Sequence, residues 1–265
     1  MTNVCFAGLT GWTAPPILAA IDEASDLTLT AGVSRSAAGR SLAETVGSSS
    51  SGLVHGSVAE ALDAAAVDVL VDYTSATAVR ANVWTAVERG VHVVVGSSGL
   101  TADDFVELDA LAQQHRVGVL ASGNFSVTAA VLKRAATLAA GKLDHWEVLD
   151  YAGATKPDVP SGTARELAEA LGEVRAPQTD VPLADLTGPV EARGADVGGT
   201  RVHSVRLPSF VVSTEVVFGS SGDRLSLRYD AGSTPDPYVD GTLLAIRRVA
   251  ELPGVRRGLD TLLFD

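Results

Sequence analysis

Short apolar runs recur along the first half of the chain: NVCFA (3–7), LTLTAGV (27–33), VDVLVDY (67–73), VHVVV (91–95) and VGVLA (117–121). They are short and rich in valine and leucine. Strands covered on both sides by helices read this way. The segments between them, at about 14–24, 56–65, 76–89 and 101–115, carry helical spacing. Thr101 followed by Ala102-Asp103-Asp104 has the form of a helix N-cap with acids in the first turn. Repeated strand–helix alternation predicts a doubly wound parallel sheet with right-handed crossovers.

The pattern changes after residue 125. SVTAAVLKRAATLAA (126–140) predicts one long helix and HWEVLDY (145–151) a strand. A helix is expected at 161–172, capped by Ser161 and stopped by Gly172. TRVHSVRL, FVVSTEVVFG and RLSLRYDA, between 200 and 231, predict longer strands. GSSGD (219–223) joins the last two as an antiparallel hairpin. The reading is an α/β dinucleotide-type domain over 1–125, completed by a C-terminal tail at 239–265 that is helical over 239–250, plus an α+β domain with an open mixed sheet over 126–238. The Ser run at 48–51 is taken as a short flexible loop.

Composition narrows the function classes. Of 265 residues, 46% are hydrophobic and 20% charged, which excludes a disordered chain. The single Cys5 excludes an intramolecular disulfide framework and a cysteine-cluster zinc site. Five histidines without ligand spacing suggest no metal site. No apolar run is long enough for a membrane span, and the start has no basic region before an apolar stretch. A soluble, cytoplasmic protein is expected. A net charge of −12 and 5% aromatic residues argue against binding nucleic acid in bulk.

Gly8-Leu9-Thr10-Gly11-Trp12-Thr13-Ala14 follows the first strand and opens the first helix. Small residues there let backbone N–H groups approach a pyrophosphate at the positive end of the helix. A tight turn with no ligand would need the same glycines, but the place at the first strand–helix turn favours a dinucleotide. Pro15-Pro16 suit a first turn yet can shift the helix start. An NAD-specific site usually places an acid after the second strand. Here Ser34-Arg35-Ser36 offers two hydroxyls and a guanidinium, which suit a 2′-phosphate unless Arg35 is an ordinary surface residue. NADPH is therefore expected ahead of NADH. Tyr73-Thr74, Gly96-Ser97-Ser98-Gly99 and Ser122-Gly123-Asn124-Phe125 follow later strands and are placed for the nicotinamide end, although ordinary loops share their composition.

Several segments resemble one family, dihydrodipicolinate reductase: VDVLVDYTSATA (67–78), GVHVVVGSSGLT (90–101), SGNFSV (122–127), KPDVPSGTA (156–164), VHSVRLP (202–208) and EVVFG (215–219). The resemblance spans nearly the whole chain. It implies a Rossmann domain, an α+β substrate domain, NAD(P)H, a small carboxylated substrate and a homotetramer built through the second domain's sheet. The family motif E-x-H-H-x-x-K-x-D-x-P-S-G-T-A aligns with residues 150–164. Lys156, Ser161, Gly162 and Thr163 match, and they imply a carboxylate site at a helix N-terminus with a lysine beside it. Ala152 and Gly153 stand where the family has its two histidines. A later block, commonly R-H-D-S or H-x-A, reads Arg228-Tyr229-Asp230-Ala231. Ser233-Thr234 stand where the family often has an arginine.

Lys156 and Tyr229 are thus the candidate proton donors, and loss of the histidines is expected to enlarge the site. His203 is a lesser candidate for the same cleft. His55, His92, His115 and His145 read as structural or solvated, and Cys5 as buried. Three functions follow. The first is a divergent NAD(P)H-dependent reductase of a C=N or conjugated C=C bond in a small carboxylated cyclic imine. The second is the lysine-pathway reductase of the family itself. The third is an inactive cofactor-binding sensor or scaffold.

Overall fold

The computed structural model describes residues 1–251 and 253–264. It divides into two compact units, Met1–Ser126 with the chain from Pro235 on, and Val127–Thr234.

The first unit is a seven-stranded sheet whose pairings are all parallel. Its strands are β1 (Thr2–Ala7), β2 (Leu27–Val33), β3 (Leu53–His55), β4 (Val69–Asp72), β5 (His92–Val95), β6 (Gly118–Ala121) and, from the tail, β12 (Gly254–Arg257). The order β12-β6-β5-β4-β1-β2-β3 places β1 between β4 and β2, at the point where strand order reverses. Helices α1 (Ala14–Glu23), α2 (Leu42–Val46), α3 (Val58–Ala64), α4 (Val79–Glu88) and α5 (Ala102–His115) connect the strands, and α8 (Val239–Arg248) and α9 (Asp260–Phe264) follow in the tail. The apolar runs are the core: Val4, Phe6, Leu29, Leu70, Val71, Val93, Val94, Val119 and Leu120 are all almost wholly buried.

Thr101 caps α5 as expected, its side chain accepting from the Asp104 N–H at 3.1 Å. β3 and β12 are not legible in the sequence: LVH is only three residues long, and GVRR has a single large apolar residue. The Ser run is tied down. Ser48 donates to Asp22 at 2.8 Å, and the Ser50 hydroxyl donates to the Leu29 carbonyl. Burial pushes the Cys5 thiol up to about 12, helped by the nearby Asp72 charge, so it is inert at neutral pH.

The second unit has α6 (Val127–Ala140) and α7 (Gly162–Val174) and a five-stranded mixed sheet, ordered β11-β10-β7-β9-β8. Its strands are β7 (His145–Ala152), β8 (Ala195–Val197), β9 (Thr200–Arg206), β10 (Val212–Gly219) and β11 (Arg224–Asp230). β10 and β11 form the expected antiparallel hairpin. Trp146, Val148, Val216 and Phe218 point to one face and join Leu167 and Leu171 of α7 in the core.

Gly172 does not stop α7, which runs on to Val174. It is needed instead for close approach, since an added Cβ would lie 1.8 Å from the Gly198 carbonyl oxygen. Alanine raises intrinsic helix propensity by about 1 kcal/mol. We nevertheless expect Gly172→Ala to destabilise the protein by roughly 1–3 kcal/mol, the usual cost of overpacking. Urea unfolding checks this, and a neutral or stabilising result contradicts the contact.

Candidate functional site

The sequence-derived site residues fall into two groups, one on each unit. In the first unit they gather at the carboxyl ends of β1, β2, β4, β5 and β6, which are consecutive in the sheet. Gly8 has φ +89°, and a Cβ there would lie 2.2 Å from the Tyr73 carbonyl oxygen. Only glycine lets the first loop pass the end of β4 this closely. Gly8 and Leu9 donate to the Val33 carbonyl, and Gly11 donates to the Gly8 carbonyl at 2.8 Å. α1 starts at Ala14, so the two prolines do not displace it. Among the described residues, the N–H groups of Thr10, Trp12 and Thr13 make no backbone bond and are left to meet an anion. This cradle fits a dinucleotide pyrophosphate.

At the end of β2, the Ser34 hydroxyl lies 3.1 Å from that of Thr10 and 3.2 Å from that of Ser36. One hydroxyl chain therefore links the glycine loop to the position after the second strand. Arg35 beside it is exposed. No acid stands among residues 34–36.

The remaining loops are organised by a residue that sequence reasoning missed. Asp72 ends β4 and is fully buried. Its Oδ1 accepts from the Thr74 N–H at 3.1 Å, the Thr74 hydroxyl at 2.8 Å and the Ser97 hydroxyl at 2.5 Å. Its Oδ2 accepts from the Asn82 side-chain amide at 2.8 Å. The hydroxyls of Thr74 and Ser97 are thus held by Asp72. Tyr73 is also structural through its side chain, with its ring stacked on Phe6 and edge-on to Phe125. Its hydroxyl lies 2.8 Å from that of Thr242. Gly96 admits that ring, since a Cβ there would sit 2.2 Å from it. Ser98 and Gly123 are exposed, while Ser122, Asn124 and Phe125 are buried. The Ser122 hydroxyl donates to the Asn124 carbonyl at 2.9 Å, closing the last loop on itself.

In the second unit, Lys156, Ser161, Gly162 and Thr163 lie on the loop from β7 to α7 and its first turn. Ser161 caps α7, accepting from the Ala164 N–H at 3.3 Å. The loop is anchored from below. Asp150 Oδ2 accepts from the Ser161 N–H at 2.9 Å, the Ser204 hydroxyl at 2.9 Å and the Arg206 guanidinium at 2.8 Å. Arg206 also donates to the Asp158 carbonyl at 2.7 Å, and Lys156 pairs with the Asp158 carboxylate at 2.9 Å. Two cations therefore converge on this loop. Arg206 escaped notice because a lone arginine in a strand carries no pattern.

Ala152 is wholly buried, and a Cβ on Gly153 would lie 3.1 Å from the Phe210 carbonyl oxygen. His203 lies on the sheet face opposite Asp150, where it meets Glu147 at 2.7 Å, so it does not join this loop. Tyr229 shares the face of Asp150, two strands away, but is 5% exposed, and its hydroxyl has no partner among the described residues.

Burial acts to raise the Asp150 pKa, but bonds from Ser161, Arg206 and Ser204 outweigh it and hold the group below the usual carboxylate range. An unfolded aspartate protonates near pH 3.9. The stabilisation from Asp150 is thus complete above about pH 4 and is lost as pH falls through the lower folded value. We expect Asp150→Asn to flatten this acid limb of the stability curve. It should also cost roughly 3–5 kcal/mol at pH 7, because Arg206 is left without its buried partner. Urea titrations between pH 2 and 7 check both effects; an unchanged acid limb contradicts the assignment.

Comparison with known proteins follows the same two units. The family model described as "Dihydrodipicolinate reductase, N-terminus" matches residues 2–125, and "Dihydrodipicolinate reductase, C-terminus" matches residues 125–263. A 4-hydroxy-tetrahydrodipicolinate reductase of Mycobacterium marinum is 34% identical over 260 residues, covering 97% of this chain and 96% of its own. The same enzyme of Thermosynechococcus vestitus is 34% identical over 267 residues, covering 98% and 96%. Among solved structures, the dipicolinate-bound dihydrodipicolinate reductase of Paenisporosarcina sp. TG-14 has a TM-score of 0.76 at 24% identity, covering 98% of this chain and 99% of that one. An amine dehydrogenase of Mycobacterium smegmatis shares the fold, with a TM-score of 0.67 at 16% identity, covering 98% and 95%. With both family models matching end to end, this chain belongs to the dihydrodipicolinate reductase family of NAD(P)H-dependent oxidoreductases.

Proposed function

We propose that the protein is an NADPH-preferring reductase of a C=N or conjugated C=C bond in a small carboxylated cyclic imine. The observation that carries this reading is the loop of Lys156 and Ser161–Thr163, backed by the Asp150–Arg206 pair. The N–H groups and hydroxyl at the start of α7 suit one carboxylate of the substrate. Lys156 supplies the adjacent positive charge, and it or Tyr229 is the proton donor. The bound cofactor supplies the hydride. The protein's own part is to hold the acceptor bond near that cofactor and to deliver one proton to the atom that does not take the hydride.

Without imidazoles at 152 and 153, a substrate with two carboxylates has one of them poorly paired, and an unpaired buried charge is costly. We therefore expect dihydrodipicolinate to be reduced at least about 100-fold less well than by a family member with both histidines. NADPH oxidation with enzymatically generated dihydrodipicolinate and a panel of cyclic imino acids tests this. Family-typical kcat/KM with dihydrodipicolinate instead supports the second reading, the lysine-pathway reductase. That reading is favoured by the names of the full-length relatives and by the extra cation, Arg206, beside the loop. Binding of NADPH without turnover of any candidate overturns both. We infer a homotetramer assembled through the open face of the second sheet, which analytical ultracentrifugation would test.

Two substitutions probe the cofactor residues and the substrate residues separately. Arg35→Ala should weaken NADPH much more than NADH, because only NADPH carries the 2′-phosphate that Arg35 and the Ser34–Ser36 hydroxyls face in this reading. Equal losses in a binding titration contradict it. Thr163→Val should lower kcat/KM for the imine by roughly 1–3 kcal/mol while leaving NADPH affinity nearly unchanged. A matching loss of cofactor binding means the first turn of α7 serves the cofactor instead.

A further inference from the structure

The glycine loop carries a side chain that its turn geometry does not require. Trp12 follows Gly11 and is 54% exposed, whereas Val4, Phe6, Leu9 and Ile17 around it are buried. The loop thus keeps a large aromatic surface in water beside its unbonded N–H groups. The indole is also held in place. It meets the Tyr238 ring edge-on, at 6.4 Å between centroids and 79° between planes. Tyr238 precedes α8 and belongs to the same unit as the loop.

The backbone gives a second reason. A helix N-terminus ordinarily offers several N–H donors to a phosphate. In α1, Ala14 spends its N–H on the Gly11 carbonyl at 3.2 Å, and Pro15 and Pro16 have none. That leaves the loop N–H groups of Thr10, Trp12 and Thr13 as the donors, with none added by the first turn of the helix. A dinucleotide seated on them lies directly beside the indole.

Resting on the NADPH reading above, we propose that the Trp12 side chain is a cofactor-binding group. It closes over the pyrophosphate and the adjoining ribose, with Tyr238 as the positioning residue that sets its orientation. Apolar cover by the ring supplements the reduced set of amide donors, and cofactor binding buries the surface now exposed.

The test uses the full-length protein and NADPH itself. Reduced nicotinamide absorbs where indole emits, so a contacting tryptophan transfers its excitation. The chain has three tryptophans, and W12F leaves only Trp84 and Trp146. The parent is expected to show strong tryptophan-to-NADPH transfer that W12F largely loses, with a Kd within about threefold because a ring is kept. W12A should raise the Kd for NADPH about tenfold, and Tyr238→Leu by a smaller factor. Thermal unfolding of each apo-variant shows that the loss is not one of folding; should W12A fail to fold, the W12F transfer decides. A parent that binds NADPH while W12A keeps its affinity, or W12F keeps its transfer, overturns this proposal alone. A parent that does not bind NADPH overturns the cofactor reading beneath it.

Discussion

The fully buried carboxylate of Asp72 is the constraint on which the loops at the carboxyl end of the first sheet depend. A buried charge is tolerated only when its hydrogen-bonding capacity is met. Asp72 meets it by drawing in Thr74, Ser97 and Asn82, which come from the ends of two strands and from the following helix. The same strand end lies against the glycine loop, since Gly8 passes the carbonyl of the next residue, Tyr73, at a distance no side chain permits. Three loops that are far apart in sequence are thereby held in one arrangement.

The second unit repeats this solution with Asp150. One of its oxygens gathers the Ser161 N–H, the Ser204 hydroxyl and Arg206, and Arg206 extends the tie to the Asp158 carbonyl. The loop that carries Lys156 is held from the strand beneath it, so its cation and the first turn of α7 keep a set spacing. Oδ1 of Asp150 and Nε of Arg206 remain buried without a partner among the described residues. Such a network is expensive to disturb, because removing Asp150 or Arg206 leaves the other's charge buried without its ion-pair partner.

Features with a periodic or positional signature were legible in the sequence. Valine-rich runs gave the parallel strands, and the first glycine loop lies where the alternation places it. The hairpin of β10 and β11 followed from its turn residues. What could not be read was tertiary in origin. Asp72 looks like the polar end of a strand, and Arg206 like one more arginine; their importance arises only when distant hydroxyls and carbonyls are brought to them. Gly172 reads as a helix stop by local rules but is set by the Gly198 carbonyl packed against it. His203 stood one position from being useful, because alternation along β9 turns it away from the face that carries Ser204 and Asp150.

Amide hydrogen exchange of the intact protein with and without NADPH tests most directly whether the loops ordered by Asp72 form one cofactor surface. Cofactor-dependent protection is expected to appear together in residues 8–14, 34–36, 73–75 and 96–98. Saturating NADPH that leaves these segments unchanged while protecting others would contradict it.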